Sequence, residues 1–212
     1  MDLRGQSRLV WIVWATLAIA TLASLLLGRW SAAFIAVFTL GLTLLPLGFA
    51  NRFNFKLPAE FGVAISIFLF ATLFLGEVGD FYNRYWWWDV ALHTGSAIGF
   101  GLIGFILIFM IFEGNRVAAP PIAIAAFSFA FALSIGAMWE VFEFAMDQIF
   151  GLNMQKSGLH DTMWDLIVDM FGAGLGAMAG YAYLKRRRFG WLSFLIDKFV
   201  QANQRLFRKR NH

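Results

Sequence analysis

Long apolar stretches separated by short polar breaks dominate the chain. Six such stretches cover residues 9–27, 32–50, 61–75, 87–112, 121–144 and 163–184. A membrane-spanning helix needs about 20 mostly apolar residues, and these stretches meet or approach that length. The third is short unless residues 76–81 continue it. Pro120 and Pro121 suit the first turn of the fifth helix, where a missing N–H costs nothing. After residue 184 the pattern changes. Trp191, Phe194, Leu195, Phe199 and Leu206 recur among polar residues at roughly helical spacing, which predicts an amphipathic helix lying on a membrane surface. The expected fold is therefore an all-α integral membrane protein. Residues 1–184 form a six-helix transmembrane domain, and residues 185–212 form a basic amphipathic tail.

Composition agrees: 60% of residues are hydrophobic, only 14% are charged, and the mean hydropathy is +0.68. A soluble domain carries about a quarter charged residues. With no cysteine, disulfide and thiolate chemistry are excluded. The first apolar run is long and lacks a small-residue cleavage site followed by a soluble chain, so no cleavable signal peptide is expected. Nine of the 17 Lys and Arg residues lie from Lys185 onward. That cluster fits contact with anionic lipid headgroups rather than nucleic acid, since no soluble domain accompanies it. Arg4, Arg8, Arg52, Lys56 and Arg116 fall on the same side as the tail, whereas Arg29, Arg84 and Lys156 stand alone in the intervening loops. Positive charge stays in the cytoplasm, so both termini are expected there, in a multi-pass membrane protein.

The acidic residues are distributed unevenly. Nine of the 13 are Glu77, Asp80, Asp89, Glu140, Glu143, Asp147, Asp161, Asp165 and Asp169, and His93 and His160 accompany them. On the topology above, all stand at the outer ends of the third to sixth spans. Asp89 and His93 are four residues apart and share a helix face; so do Glu140, Glu143 and Asp147, and again Asp161, Asp165 and Asp169. Ionisable groups in spans are costly, face the bundle interior and serve a purpose. So many carboxylates need protons, basic partners or a cation to coexist, and Arg84 with Lys156 are too few. Carboxylates and imidazole from facing helices are a metal-site pattern. The expected ligands are Asp89, His93, Glu140, Glu143, Asp165 and Asp169. Zinc, magnesium, manganese and calcium all remain open. Glu143, Asp161 and His160 are the expected proton-transfer groups. Plainer roles compete for some of these residues. Asp161 with Thr162 also suits a helix cap, Glu77 and Asp80 suit a solvated loop, Asp147 suits the interface, and Trp86, Trp87 and Trp88 suit an interfacial aromatic belt.

Two segments look alike. WDVALHTGSAIGFG begins at Trp88 and WDLIVDMFGAGLGA at Trp164. Each is Trp-Asp, three residues, a ligand-type residue (His93 or Asp169), then a glycine-rich run. The offset spans two helices, so helices three-four and five-six would form a parallel repeat with a site at its interface. Glycines crowd both fourth and sixth spans, and small residues let helices approach closely in lipid.

From about residue 80 to 180 the chain resembles the VanZ-like and YjdF-like bacterial inner-membrane proteins. The resemblance rests on Asp-x3-His (Asp89, His93), a Glu-bearing helix end (Glu140, Glu143), and Asp-x3-Asp-x2-Gly (Asp165, Asp169, Gly172) in that order. The chain departs from the pattern after Glu140, where Val141 stands in place of the glutamine that VanZ-like proteins often carry. The resemblance implies a role in the bacterial envelope with lipid-linked or glycopeptide-related material and supplies no agreed reaction. Three functions follow as expectations. The first is a metal-dependent membrane enzyme acting at the outer face on a lipid or lipid-linked envelope precursor. The second is a proton- or cation-coupled transporter. The third is an accessory subunit whose acids grip a basic partner. Oligomeric state is left open.

Overall fold

A computed structural model describes residues 6–113 and 119–207. Arg4, Arg116 and His212 lie outside the described residues. Every regular element among them is helical: α1 (Arg8–Leu26), α2 (Trp30–Arg52), α3 (Ala59–Leu69), a π-helix (Phe70–Val78), α4 (Phe81–Arg84), α5 (Trp87–Glu113), α6 (Pro121–Phe150), α7 (Leu159–Leu184), α8 (Gly190–Ala202) and α9 (Gln204–Phe207). Six helices are long and apolar enough to cross a membrane, the third formed by α3 and the π-helix together, Ala59–Val78. The π-helix thus supplies the missing length of the third span. The fifth span runs on to Phe150 and the sixth begins at Leu159, so Glu140, Glu143, Asp147, Asp161, Asp165 and Asp169 all stand on helices.

Contacts divide the chain into two compact units, Met1–Asp89 with Gln201–Asn203, and Val90–Val200 with Gln204–His212. In the first unit Val13, Leu17 and Ala36 form a buried cluster, with Phe70 and Phe74 of the π-helix against it. Trp14 donates its indole N–H to Thr43 Oγ1 at 2.9 Å, satisfying both groups away from water. The Asn203 side chain accepts from Lys56 N–H at 2.7 Å and donates to Lys56 C=O at 2.8 Å. Trp86 is exposed, as a belt residue should be, but Trp88 buries its indole nitrogen and sets its ring edge-on to Phe81.

In the second unit glycine governs the packing. Gly172, Gly176 and Gly180 lie one turn apart on α7 and meet Ala97, Gly101 and Phe105 of α5. A Cβ at Gly101 would lie 3.0 Å from Gly176 Cα. Ser128 of α6 donates to Gly101 C=O at 2.6 Å, an interhelical hydrogen bond of the kind that helps hold helices together in lipid. The tail departs from its sequence expectation. Leu192, Leu195, Ile196 and Phe199 of α8 are buried in protein, whereas Trp191 and Phe194 are exposed. Phe207 of α9 packs on Phe109 and Phe199. The more apolar face of the tail is thus covered by the protein itself.

Candidate metal centre

The first two turns of α5 carry Asp89 and His93, and the second and third turns of α7 carry Asp165 and Asp169. Asp89 and His93 stand one turn apart on the same helix. His93 and Asp165 each follow the start of their helices by six residues, about 9 Å at the α-helical rise. Glycine contacts hold α5 and α7 close, so residues at matching depth meet.

Asp89, His93 and Asp165 each offer a ligand atom, and the three atoms lie within 4.8 Å of one another. His93 and Asp165 are buried, and Asp89 is half-buried. Behind this group His93 Nδ1 lies 3.3 Å from Asp169 Oδ1, with Asp169 only 1% exposed. A carboxylate on one imidazole nitrogen fixes the ring's orientation and leaves the other nitrogen for a ligand. The two segments singled out as a repeat come together here. Asp89 and Asp165 join the same group, and His93 bonds Asp169, which stands at the corresponding position of the other segment.

From α6, Glu140 is 4% exposed, and neither of its carboxylate oxygens accepts a hydrogen bond of sound geometry. Thr162 approaches it as a hydrogen-bonding side chain, and His93, Asp169 and Asp161 are its charged neighbours. Gly136, one turn before Glu140, leaves room for Asp169. A Cβ there would lie 2.9 Å from Asp169 Cγ and closer still to its Oδ2. Asp169 Oδ2 is itself buried without a hydrogen-bond donor. Of the six expected ligands, then, three form the compact group, Asp169 braces the histidine, and Glu140 faces the same region. Glu143 instead accepts from Trp139 Nε1 at 2.8 Å on its own helix.

The remaining sequence candidates have local roles. Asp147 accepts from Met154 N–H at 2.7 Å and Gln155 N–H at 3.0 Å, closing the loop after α6. Asp161 is in the first turn of α7, but the N-cap is Gly158, so Asp161 is not the cap. His160 is exposed, and its Nε2 accepts from Trp164 Nε1 at 3.3 Å. Asp80 adopts a left-handed backbone (φ 61°), accepts from Asn83 and pairs with Arg84 at 3.6 Å. Sequence reasoning missed Gly136 and read Thr162 only as part of a helix cap. Gly136 was detectable, since it precedes Glu140 by four residues and so shares its face.

Comparison with known proteins agrees with the membrane architecture. Residues 9–186 match the model of a family described as "Predicted membrane protein (DUF2238)". An uncharacterized protein of Thermotoga maritima is 27% identical over 137 residues, covering 64% of this chain and 69% of that one. No solved structure matches.

Proposed function

We propose, from the premise that the chain belongs to the DUF2238 family of predicted membrane proteins, that Asp89, His93 and Asp165 hold a divalent cation at the outer end of α5 and α7. The observation that carries this is the convergence of three ligand atoms within 4.8 Å, two of them on buried residues, with Asp169 on the histidine's Nδ1. Buried carboxylates need a cationic or hydrogen-bonding counterpart. A mixed carboxylate–imidazole set admits zinc, manganese, magnesium or calcium; its nitrogen ligand favours zinc, and its carboxylates suit the other three.

Such an ion would act as a Lewis acid toward an oxygen of the substrate or toward water. The chain's own residues would do the rest. Asp169 orients His93, Asp165 and Asp89 fix the ion between α5 and α7, and Glu143, Asp161 and His160 supply proton-transfer groups near the interface. The substrate would be a membrane lipid or lipid-linked envelope precursor, as the resemblance to VanZ-like and YjdF-like proteins implies. With positive charge retained in the cytoplasm, both termini would face the cytoplasm of a bacterial cell and the site would face outward.

One observation bears on the transporter alternative. Among the described residues of the second unit the buried charged side chains are His93, Glu140, Asp165 and Asp169, all toward one end. Beyond them α5 and α7 meet through Gly101, Gly176 and Gly180. A path across the membrane requires polar groups along its length, so this distribution supports a one-sided site. The test is elemental analysis of protein purified without chelator and supplied with Mn²⁺ or Zn²⁺. At least one ion per chain is expected, with loss in Asp165→Asn at unchanged helix content. A folded wild type that retains no ion overturns the proposal and favours the accessory-subunit alternative.

A further inference from the structure

We infer that Glu140 and Asp169 form a second divalent-cation site beside the first, making the centre binuclear; the inference rests on the reading that Asp89, His93 and Asp165 bind an ion. The first support is the state of the two carboxylates. Glu140 is 4% exposed with neither oxygen in a hydrogen bond of sound geometry, and Asp169 is 1% exposed with Oδ2 lacking a donor. Buried carboxylate oxygens are otherwise almost always satisfied, and each exception calls for an explanation such as an ion.

The second support is where these oxygens lie. Side chains on a helix lean toward its N-terminus, so the Glu140 carboxylate leans along α6 toward Gly136. Asp169 Oδ2 stands directly against Gly136. The absent side chain at 136 therefore makes room for the Asp169 carboxylate on the helix face that Glu140 shares. Depth agrees. Glu140 lies ten residues before the end of α6 and Asp169 ten after the start of α7, each about 15 Å from the helix terminus. Thr162, whose hydroxyl is already bonded by Gln155 Nε2 at 2.6 Å, and Asp161 stand close enough to act on Glu140.

The third support is chemistry. Hard divalent ions accept sites with one or two carboxylates and complete their shells with water or substrate phosphate oxygens. Paired ions about 3.5–4 Å apart suit phosphate-bearing substrates, because they hold the attacking and leaving oxygens together. Asp169 would link the sites, with Oδ1 on His93 and Oδ2 on the second ion.

The experiment is Mn²⁺ loading of the full-length protein in lipid nanodiscs, read by Mn content and by electron paramagnetic resonance. Wild type should bind two ions per chain with a spin-coupled spectrum. Glu140→Gln should bind one, with the six-line signal of an isolated ion. Asp169→Asn keeps an oxygen for His93 and loses Oδ2, so it should also bind one. Circular dichroism and monodisperse elution establish that each variant is folded, and the second variant serves if the first is not. One ion in wild type and in the variants overturns the binuclear site, points to a proton shared by Glu140 and Asp169, and leaves the first site standing. Two ions in every variant place the second ion elsewhere and overturn the assignment. No ion in folded wild type overturns both readings.

Discussion

Replacing Gly136 by alanine adds one methyl group to α6 and should be harmful out of proportion to its size. In an open helical position the change stabilises by about 0.8–1 kcal/mol, because glycine is the poorer helix former. At 136 the new Cβ would lie 2.9 Å from Asp169 Cγ, roughly 1 Å inside a comfortable carbon–carbon separation. Asp169 is almost wholly buried, so it cannot swing into solvent. It must retreat, and the His93 contact already stands at 3.3 Å. A retreat of even ~0.5 Å takes that pair beyond hydrogen-bond reach. Overpacking costs about 1–3 kcal/mol, and a hydrogen bond to a charged group contributes about 1.5–3 kcal/mol. Against the helix-propensity gain, a net destabilisation of about 1.5–5 kcal/mol is expected. Loss of the carboxylate that orients a metal-binding histidine should weaken metal affinity about 10–100-fold. Thermal unfolding in detergent gives the first number and Mn²⁺ titration the second. Gly174→Ala is the control, since an added Cβ there meets nothing within 4 Å, and it should be neutral or stabilising. If Gly136→Ala matches this control in stability and binds metal like wild type, Asp169 does not brace His93 as argued.

Two further outcomes are expected. The chain has no cysteine, so Ser157→Cys, in the exposed loop before α7, is a unique label. It should react with an impermeant thiol reagent in intact cells, and Gln204→Cys should react only after lysis; the opposite result moves the acid cluster to the cytoplasmic face. Removing residues 190–212 strips Phe109 of its Phe207 contact and Lys56 of its two Asn203 hydrogen bonds. The truncated protein should unfold at lower temperature yet retain metal stoichiometry, and a loss of metal would make the tail part of the site.

The membrane-spanning helices were legible in the chain because lipid imposes a length and a polarity on every span. Apolar runs alone located all six, and the only uncertain one, the third, reached full length through a π-helix that no local pattern announces. Face-sharing among the acids was equally legible, since helical spacing is local. Whether separate faces meet is not local. Asp89, Glu143 and Asp165 have the same credentials in the sequence, yet α5–α7 packing brings Asp89 and Asp165 together while Trp139 engages Glu143 from within its own helix. The tail shows the same limit. Its apolar stripe reads alike whether lipid or protein covers it, because burial of either kind rewards the same residues. Only the fold shows Leu192, Leu195 and Ile196 turned inward and Trp191 outward. Likewise glycine at 136 is one of 20 in the chain. What distinguishes it is that the Asp169 carboxylate, 33 residues away along the chain and on another helix, occupies the space its missing side chain leaves.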